Sequence, residues 1–184
     1  MKLTQALQYA LTYLGDEDAE ITASAVRRGD RKLQQLVRCA NMTIKEIAAE
    51  YLPLVARQTV TCKNNAFGYD ALEKRVYRIV RVLDGKDGAR VAFRMYPDRC
   101  ELAAPCEIAH VAYEYVPSDI GANDECETLG CVSAKTLGLG IAAEYAMLQG
   151  LYEQSVMLSE RFESDMRAAC RMRGEHKWKA RRWA

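Results

Sequence analysis

Two histidines are the side chains of this sequence best suited to general acid–base chemistry, and they lie far apart along the chain. His110 falls in a run of alternating residues, which predicts a position on a sheet face, with a general base as the alternative. His176 lies in a basic stretch near the end of the sequence. No serine is flanked by glycines in a nucleophile motif. We therefore predict a protein that is not an enzyme and uses no cofactor.

Seven cysteines could supply thiolate ligands to a metal. Cys100 and Cys106 are separated by five residues, and Cys126 and Cys131 by four. Structural zinc sites use about two to four intervening residues, so the first pair is too widely spaced and the second is marginal. We predict free thiols, buried or half-buried, and no metal site, with a structural zinc as the alternative.

Two other short patterns have a functional and a structural interpretation. Gly138 and Gly140 could belong to a phosphate-binding loop, but no Gly-Lys pair follows them, which favours close packing of helix backbones. Asp124 and Glu127 could bind a cation, but a solvated acidic loop is the simpler interpretation.

The C-terminal stretch is strongly basic. From Arg167 onward there are seven Lys and Arg residues and one acid, Glu175, which leaves about −5 for the rest of a chain whose net charge is +1. The predicted docking residues are Lys177, Trp178, Arg181, Arg182 and Trp183. They favour insertion into a groove of a partner protein. Contact with nucleic-acid phosphates and a merely solvated terminus remain alternatives.

The composition of the 184-residue chain is that of a globular protein, with 49% hydrophobic residues. No apolar run approaches the roughly 18 residues of a membrane-spanning helix. The first residues lack the pattern of a secretion signal. Together with the odd number of cysteines, these features predict a protein made in a reducing cytoplasm.

Four helices are predicted from apolar residues at three- and four-residue spacing. The first ends at Gly15, the second begins after Asp30 and ends before Pro53, and the last two are joined at Gln149 and Gly150. The predicted buried faces comprise Leu3, Ala6, Leu7, Ala10, Leu11 and Leu14; Leu33, Leu36, Val37, Ala40, Ile44, Ile47, Ala48 and Tyr51; Leu137, Ile141, Ala142, Tyr145 and Leu148; and Ser155, Leu158, Phe162, Met166, Ala169 and Cys170.

Strands are predicted between the second and third helices. They cover residues 54–61, 75–83, 91–96 and 107–116, with a glycine-containing hairpin loop at 84–88. We therefore predict an α+β fold, in which an antiparallel helical bundle of about four helices carries a small antiparallel β module inserted between its second and third helices. The predicted organisation is N-terminal helices at 1–52, the β module at 53–118, a loop and C-terminal helices at 119–173, and a docking tail at 174–184.

The order and spacing of several segments, rather than any one motif, point to a known family. The segments are the opening helix 3–15, the long helix 30–51, the hairpin at 84–88, the strand end 113–117 with the acidic loop after it, the runs 138–145 (GLGIAAEY) and 149–153 (QGLYE), Arg161-Phe162, and the terminal Arg181-Arg182-Trp183. In this arrangement the chain resembles the head-to-tail adaptor, or connector, proteins of tailed bacteriophages, in particular those like tail tubular protein A.

This resemblance implies a structural virion protein. It implies a homo-oligomeric ring, commonly dodecameric, that sits beneath the portal protein at the capsid vertex and joins it to tail or nozzle proteins. The helices would form the ring wall, and the C-terminal segment would insert into the portal. Genome DNA would pass through the central channel without sequence-specific binding, and no membrane would be involved. The alternative function is a nucleic-acid-binding protein that uses the basic tail.

Overall fold

The computed structural model describes residues 1–16, 30–126 and 132–172. The chain divides into two compact units. The first, which we call the helical unit, comprises Met1–Ile44 and the chain from Asp119 onward. The second, the β unit, comprises Lys45–Ser118.

The described residues form four helices, each with a recognisable start or end signal. They are α1 (Leu3–Tyr13), α2 (Arg31–Glu46, continued by a π-helical turn over Ile47–Tyr51), α3 (Ala134–Leu148) and α4 (Tyr152–Met172). Asp30 caps α2, as predicted, because its Oδ1 accepts a hydrogen bond of 2.8 Å from the Lys32 N–H. Ser133 caps α3, because its Oγ accepts a hydrogen bond of 3.0 Å from the Thr136 N–H.

Helix α3 is the centre of the helical unit, because it is buried on nearly all sides over Thr136–Ala143. Two glycines let its neighbours approach. A Cβ at Gly138 would lie 2.6 Å from Tyr9 Cβ and 2.9 Å from the Ala6 carbonyl oxygen of α1. A Cβ at Gly140 would lie 2.5 Å from Thr43 Cγ2 of α2 and 3.0 Å from a ring carbon of Phe162 on α4. The prediction that these glycines serve close helix packing is confirmed.

The predicted antiparallel helical bundle is wrong: no such bundle is evident in the described parts of the chain. In a four-helix bundle each helix buries one apolar stripe against a shared core. Here α3 has no polar face over most of its length, and α1 and α4 pack against it directly. The apolar spacing identified the helices correctly, but it could not show that one of them is surrounded by the others.

Gly138→Ala should destabilise the protein, although alanine favours helix formation by about 1 kcal/mol. The new methyl group would collide with the backbone of α1 as well as with Tyr9. We expect a net loss of about 1–3 kcal/mol in the free energy of unfolding, measured by urea denaturation. Gly121→Ala is the matched control, because its Cβ would meet only Asp124 side-chain atoms at 3.4 Å or more. Equal stability of the two variants would contradict the packing described for α3.

Tyr13→Phe should leave the protein as stable as before or more stable, by up to about 1 kcal/mol. The Tyr13 hydroxyl is buried without a hydrogen-bond partner among the described residues. Burial raises the pKa of this hydroxyl, although the Arg161 guanidinium, 5.6 Å from the ring centre, opposes the rise. In the control Tyr69→Phe, a 2.8 Å hydrogen bond to the Tyr96 carbonyl is lost, and we expect a destabilisation of about 1 kcal/mol. Urea denaturation of both variants tests the difference in sign.

The predicted antiparallel β insertion is present as the β unit, and it contains two three-stranded sheets. The strands are β1 (Val55–Thr61), β2 (Ala66–Gly68), β3 (Val76–Asp84), β4 (Phe93–Met95), β5 (Arg99–Leu102) and β6 (Ile108–Tyr115). The first sheet has the order β1-β6-β3 and the second β2-β5-β4. All of them lie between the second and third helices, where an insertion was predicted. Side chains from both sheets share one apolar core.

The hairpin loop at 84–88 forms as predicted, but its returning strand leaves β3 after a short contact. Gly88, with a φ of 71°, donates its N–H to the Asp84 carbonyl at 2.9 Å. The chain stays beside β3 only as far as Val91, whose N–H donates a hydrogen bond of 3.0 Å to the Val82 carbonyl. It then enters the second sheet as β4. Alternating apolar residues predicted the strand and could not indicate its partner.

Candidate interaction surfaces

The residues predicted to dock the C-terminal tail lie outside the described parts of the chain. These are Lys177, Trp178, Arg181, Arg182 and Trp183, and the described structure ends at Met172, the last residue of α4. Glu127 and Cys131 are also outside it. The described residues carry one candidate surface on the helical unit and another on the β unit.

The turn between α3 and α4 is held in a defined geometry. Gly150 adopts a φ of 77° and donates its N–H to the Met147 carbonyl at 3.1 Å. The Leu151 N–H donates to the Ala146 carbonyl at 2.9 Å, which completes a Schellman motif. Ser155, only 2% exposed, donates its hydroxyl hydrogen bond to the Ala143 carbonyl at 3.0 Å and so ties α4 to α3. The side chains at this turn are therefore carried on a rigid support.

Large apolar side chains are concentrated on the outside of this turn, and we call them the corner patch. Its members and their exposed fractions are Met147 (49%), Leu148 (57%), Leu151 (50%), Tyr152 (65%), Val156 (54%) and Met157 (61%). Tyr152 and Val156 lie one turn apart on α4, whereas Ser155, Leu158, Phe162 and Met166 are buried on its inner face. A cluster of exposed apolar residues of this kind is typical of a protein–protein contact.

The outward face of the first sheet carries a second candidate surface. Pairing across the strands forms three successive rows on this face: Val55, Glu114 and Arg78; Arg57, Ala112 and Arg81; Thr59, His110 and Leu83. The small Ala112 in the middle row leaves a shallow groove of about 440 Å³ between the two flanking arginines. We call it the arginine groove. Val55 and Val80, both exposed, form its apolar part.

The charges of the arginine groove are only partly compensated. Arg78 Nη2 donates to Glu114 Oε1 at 2.8 Å, and this hydrogen bond, reinforced by the charge of the carboxylate, raises the pKa of Arg78. Arg57 and Arg81 have no carboxylate partner among the described residues of the chain. The groove can therefore accept a carboxylate or another anionic group beside an apolar side chain.

The candidate residues for chemistry occupy structural positions. His110 lies on the outward sheet face, as predicted, with its Nδ1 2.9 Å from Thr59 Oγ1. Asp124 Oδ2 accepts a hydrogen bond of 2.7 Å from the Gly121 N–H and so closes a turn. Within the described ranges, no group of three or more His, Cys, Asp or Glu side chains is placed to hold a metal ion. No helix in those ranges is long and apolar enough to cross a membrane.

The cysteines that the structure describes are free thiols. Cys39, Cys62, Cys100, Cys106 and Cys126 are buried, and Cys170 is half-buried, in agreement with the prediction for these positions. Burial raises the pKa of the Cys39 thiol to about 11, and the Glu144 carboxylate adds to the effect. Such thiols behave as small apolar side chains at neutral pH.

Comparison of the chain with models of protein families and with curated proteins gives no match. The likeness to phage adaptor proteins therefore rests on the order and spacing of the segments given above.

Proposed function

We propose that this protein is a head-to-tail adaptor of a tailed bacteriophage, a structural protein that forms a ring, joins the portal to the tail and continues the DNA channel. The observation that carries the proposal is the corner patch. Six large apolar side chains are exposed at a hydrogen-bonded turn of a unit whose described helices bury a core of their own. In a closed ring every copy contacts its two neighbours through two different, complementary surfaces. We assign the corner patch to one of these two surfaces.

The size of the corner patch indicates how the ring would assemble. Its side chains are about half exposed, so their burial would contribute roughly 5–9 kcal/mol in total. Association of two proteins costs about 4–15 kcal/mol in lost freedom of motion. The two ranges overlap, so the patch alone would give at most a weak pair, and a stable ring would form when the portal aligns the copies. We expect the isolated chain to be largely monomeric at micromolar concentration.

Charge complementarity would add to the apolar contact. The arginine groove in the β unit can accept a carboxylate, and the chain up to Met166 carries a net charge of about −5. Contacts between copies, or with tail proteins, can therefore combine opposite charges with apolar burial. The basic tail, with Trp178 and Trp183 as anchors, would dock in the portal.

In this role the protein would be made in the host cytoplasm and would lie in the virion, at the head–tail junction. Genome DNA would pass through the channel without sequence-specific contacts, and the protein would catalyse no reaction. The predicted dodecameric ring would follow from the portal that templates it.

Size-exclusion chromatography with the cognate portal protein tests this function. We expect co-elution of the two proteins and a largely monomeric chain when the portal is omitted. A salt titration with duplex DNA distinguishes the adaptor function from the alternative, which is nucleic-acid binding through the basic tail. If the tail contacted six or more phosphates, raising the salt concentration from 50 to 200 mM would weaken DNA binding by about a thousandfold or more. Such DNA binding without any portal binding would favour the alternative.

A further inference from the structure

The end of the first sheet brings two cysteines to the same buried side. Cys62 follows β1, and its N–H donates to the Glu107 carbonyl at 2.8 Å, which extends the pairing of β1 with β6. Regular alternation would place the Glu107 side chain inward, opposite Cys62. Instead Glu107 is directed outward, with its side chain 81% exposed and 3.2 Å from Lys86 Nζ. Cys106 occupies the inward position in its place.

The two thiols are neighbours in the core of the β unit. Cys62 is 9% exposed and Cys106 is 6% exposed, and both belong to the same apolar cluster. The pKa of Cys62 is raised to about 11, mainly by burial and further by the charge and hydrogen bond of the adjacent Cys106 thiol. The Cys106 Sγ donates to the Ile108 carbonyl at 2.9 Å, within the same strand end.

Cys106 can reach solvent more easily than its own exposure indicates. The three residues before it, Ala103 to Pro105, are exposed, and so is Glu107 after it. The loop between β5 and β6 therefore needs only a small displacement to present this thiol to a small oxidant. Cys100, by contrast, is completely buried within β5 of the other sheet.

We propose that Cys62 and Cys106 form a thiol pair that closes to an intrachain disulfide when the folded protein meets a disulfide oxidant such as glutathione disulfide. The Cys106 thiolate attacks one sulfur of glutathione disulfide and releases one glutathione thiolate. The Cys62 thiolate then attacks the Cys106 sulfur of the mixed disulfide and releases the second glutathione. The two protein thiols are oxidised, glutathione disulfide is reduced to two glutathione molecules, and these take up the two protons.

The closed pair would join the end of β1 to the β5–β6 loop and so cross-link residues 62 to 106 of the β unit. In a reducing cytoplasm the pair stays open, and it closes in an oxidising environment outside the cell. The inference does not depend on the adaptor proposal, because it concerns the β unit of a single chain.

Peptide mapping of the native, full-length chain tests the proposal. The chain is treated with glutathione disulfide at pH 9, where more of the weakly acidic Cys62 is ionised, and remaining thiols are then blocked. Trypsin together with a glutamate-specific protease cuts after Arg57, Lys63, Arg99, Glu101 and Glu107. Cys62 is then in peptide 58–63, Cys106 in 102–107, and Cys100 in the separate dipeptide 100–101. We expect a linked 58–63/102–107 species that a reductant separates.

Serine variants supply the controls. Cys106→Ser should abolish the linked species, whereas Cys100→Ser should retain it. The oxidised wild type should melt about 10 °C above the reduced protein, and Cys106→Ser should show no such shift. Recovery of peptide 58–63 with a blocked, unlinked thiol, or its linkage to the dipeptide 100–101, would overturn the proposal. Both of these outcomes are read from the wild-type chain, so they do not depend on the folding of a variant.

Discussion

The double variant Tyr152→Asp with Val156→Asp should stay folded and monomeric and should fail to form a ring on the portal. Both side chains are more than half exposed in the single chain, so charged replacements cost little in its free energy of unfolding. In an assembled ring the same positions would be buried, and two carboxylates would have to lose their water there without partners. We expect the affinity between neighbouring copies to fall at least 100-fold. The mass of the particle formed with portal rings shows whether the copies still assemble.

Tyr77→Asp is the matched control for this experiment. Tyr77 is 56% exposed on β3 of the β unit and lies outside the corner patch. It should have no effect on the mass of the assembly, and circular dichroism should show that both proteins are folded. A ring of normal mass from the double variant would exclude the corner patch as the contact between copies.

Removal of residues 173–184 should abolish docking to the portal while leaving the unit folded. Among residues 152–171, the most C-terminal buried side chain is Met166, so truncation after Met172 removes none of the described core. The expected change in melting temperature is within a few degrees, and the expected loss is complete absence from portal-bearing capsids in a pull-down.

Two double variants show which feature of the tail is needed for docking to the portal. Trp178→Ala with Trp183→Ala keeps the charge and removes the two aromatic anchors, and it should lose docking nearly as fully as the truncation. The double variant Arg181→Lys with Arg182→Lys keeps both the charge and the aromatic anchors, and it should retain most of the docking to the portal. If the truncated chain still joined portal-bearing capsids, the tail would have no part in docking.

The helices of this protein were largely readable from its sequence, because apolar spacing and capping residues act locally. The predicted buried face of α1 is confirmed for Leu3, Ala6, Leu7, Ala10 and Leu11. Leu148 shows the limit of the method. It falls on the helical period of the buried residues of α3 but is 57% exposed, because the helix ends there and none of the described elements covers it. Periodicity identifies a face and not what lies against it.

The sheets were less predictable, because strand pairing is not local. Strands β2 and β5, of three and four residues, are too short to show an alternating pattern, and neither was predicted. Strand β3 has irregular pairing on both sides of Ile79, so alternation counted along the sequence fails there. Short strands and bulges are therefore the physical reason that the second sheet was not predicted.

The candidate surfaces were not recognised from the sequence for the same reason. Arg57 and Arg81 belong to different strands and become neighbours across Ala112 only once the order β1-β6-β3 is known. The residues of the corner patch were visible as an apolar run around Gly150, but the helical pattern assigned part of that run to the core. The sequence did indicate the basic tail, whose contribution the truncation measures.

We propose that copies of this chain contact one another through the corner patch in a closed ring. A cryo-EM reconstruction of the chain bound to its portal tests it most directly. We expect a closed ring in which Tyr152 and Val156 of each copy are buried against the next copy. Single copies on the portal, or a ring in which the corner patch remains exposed to solvent, would contradict it.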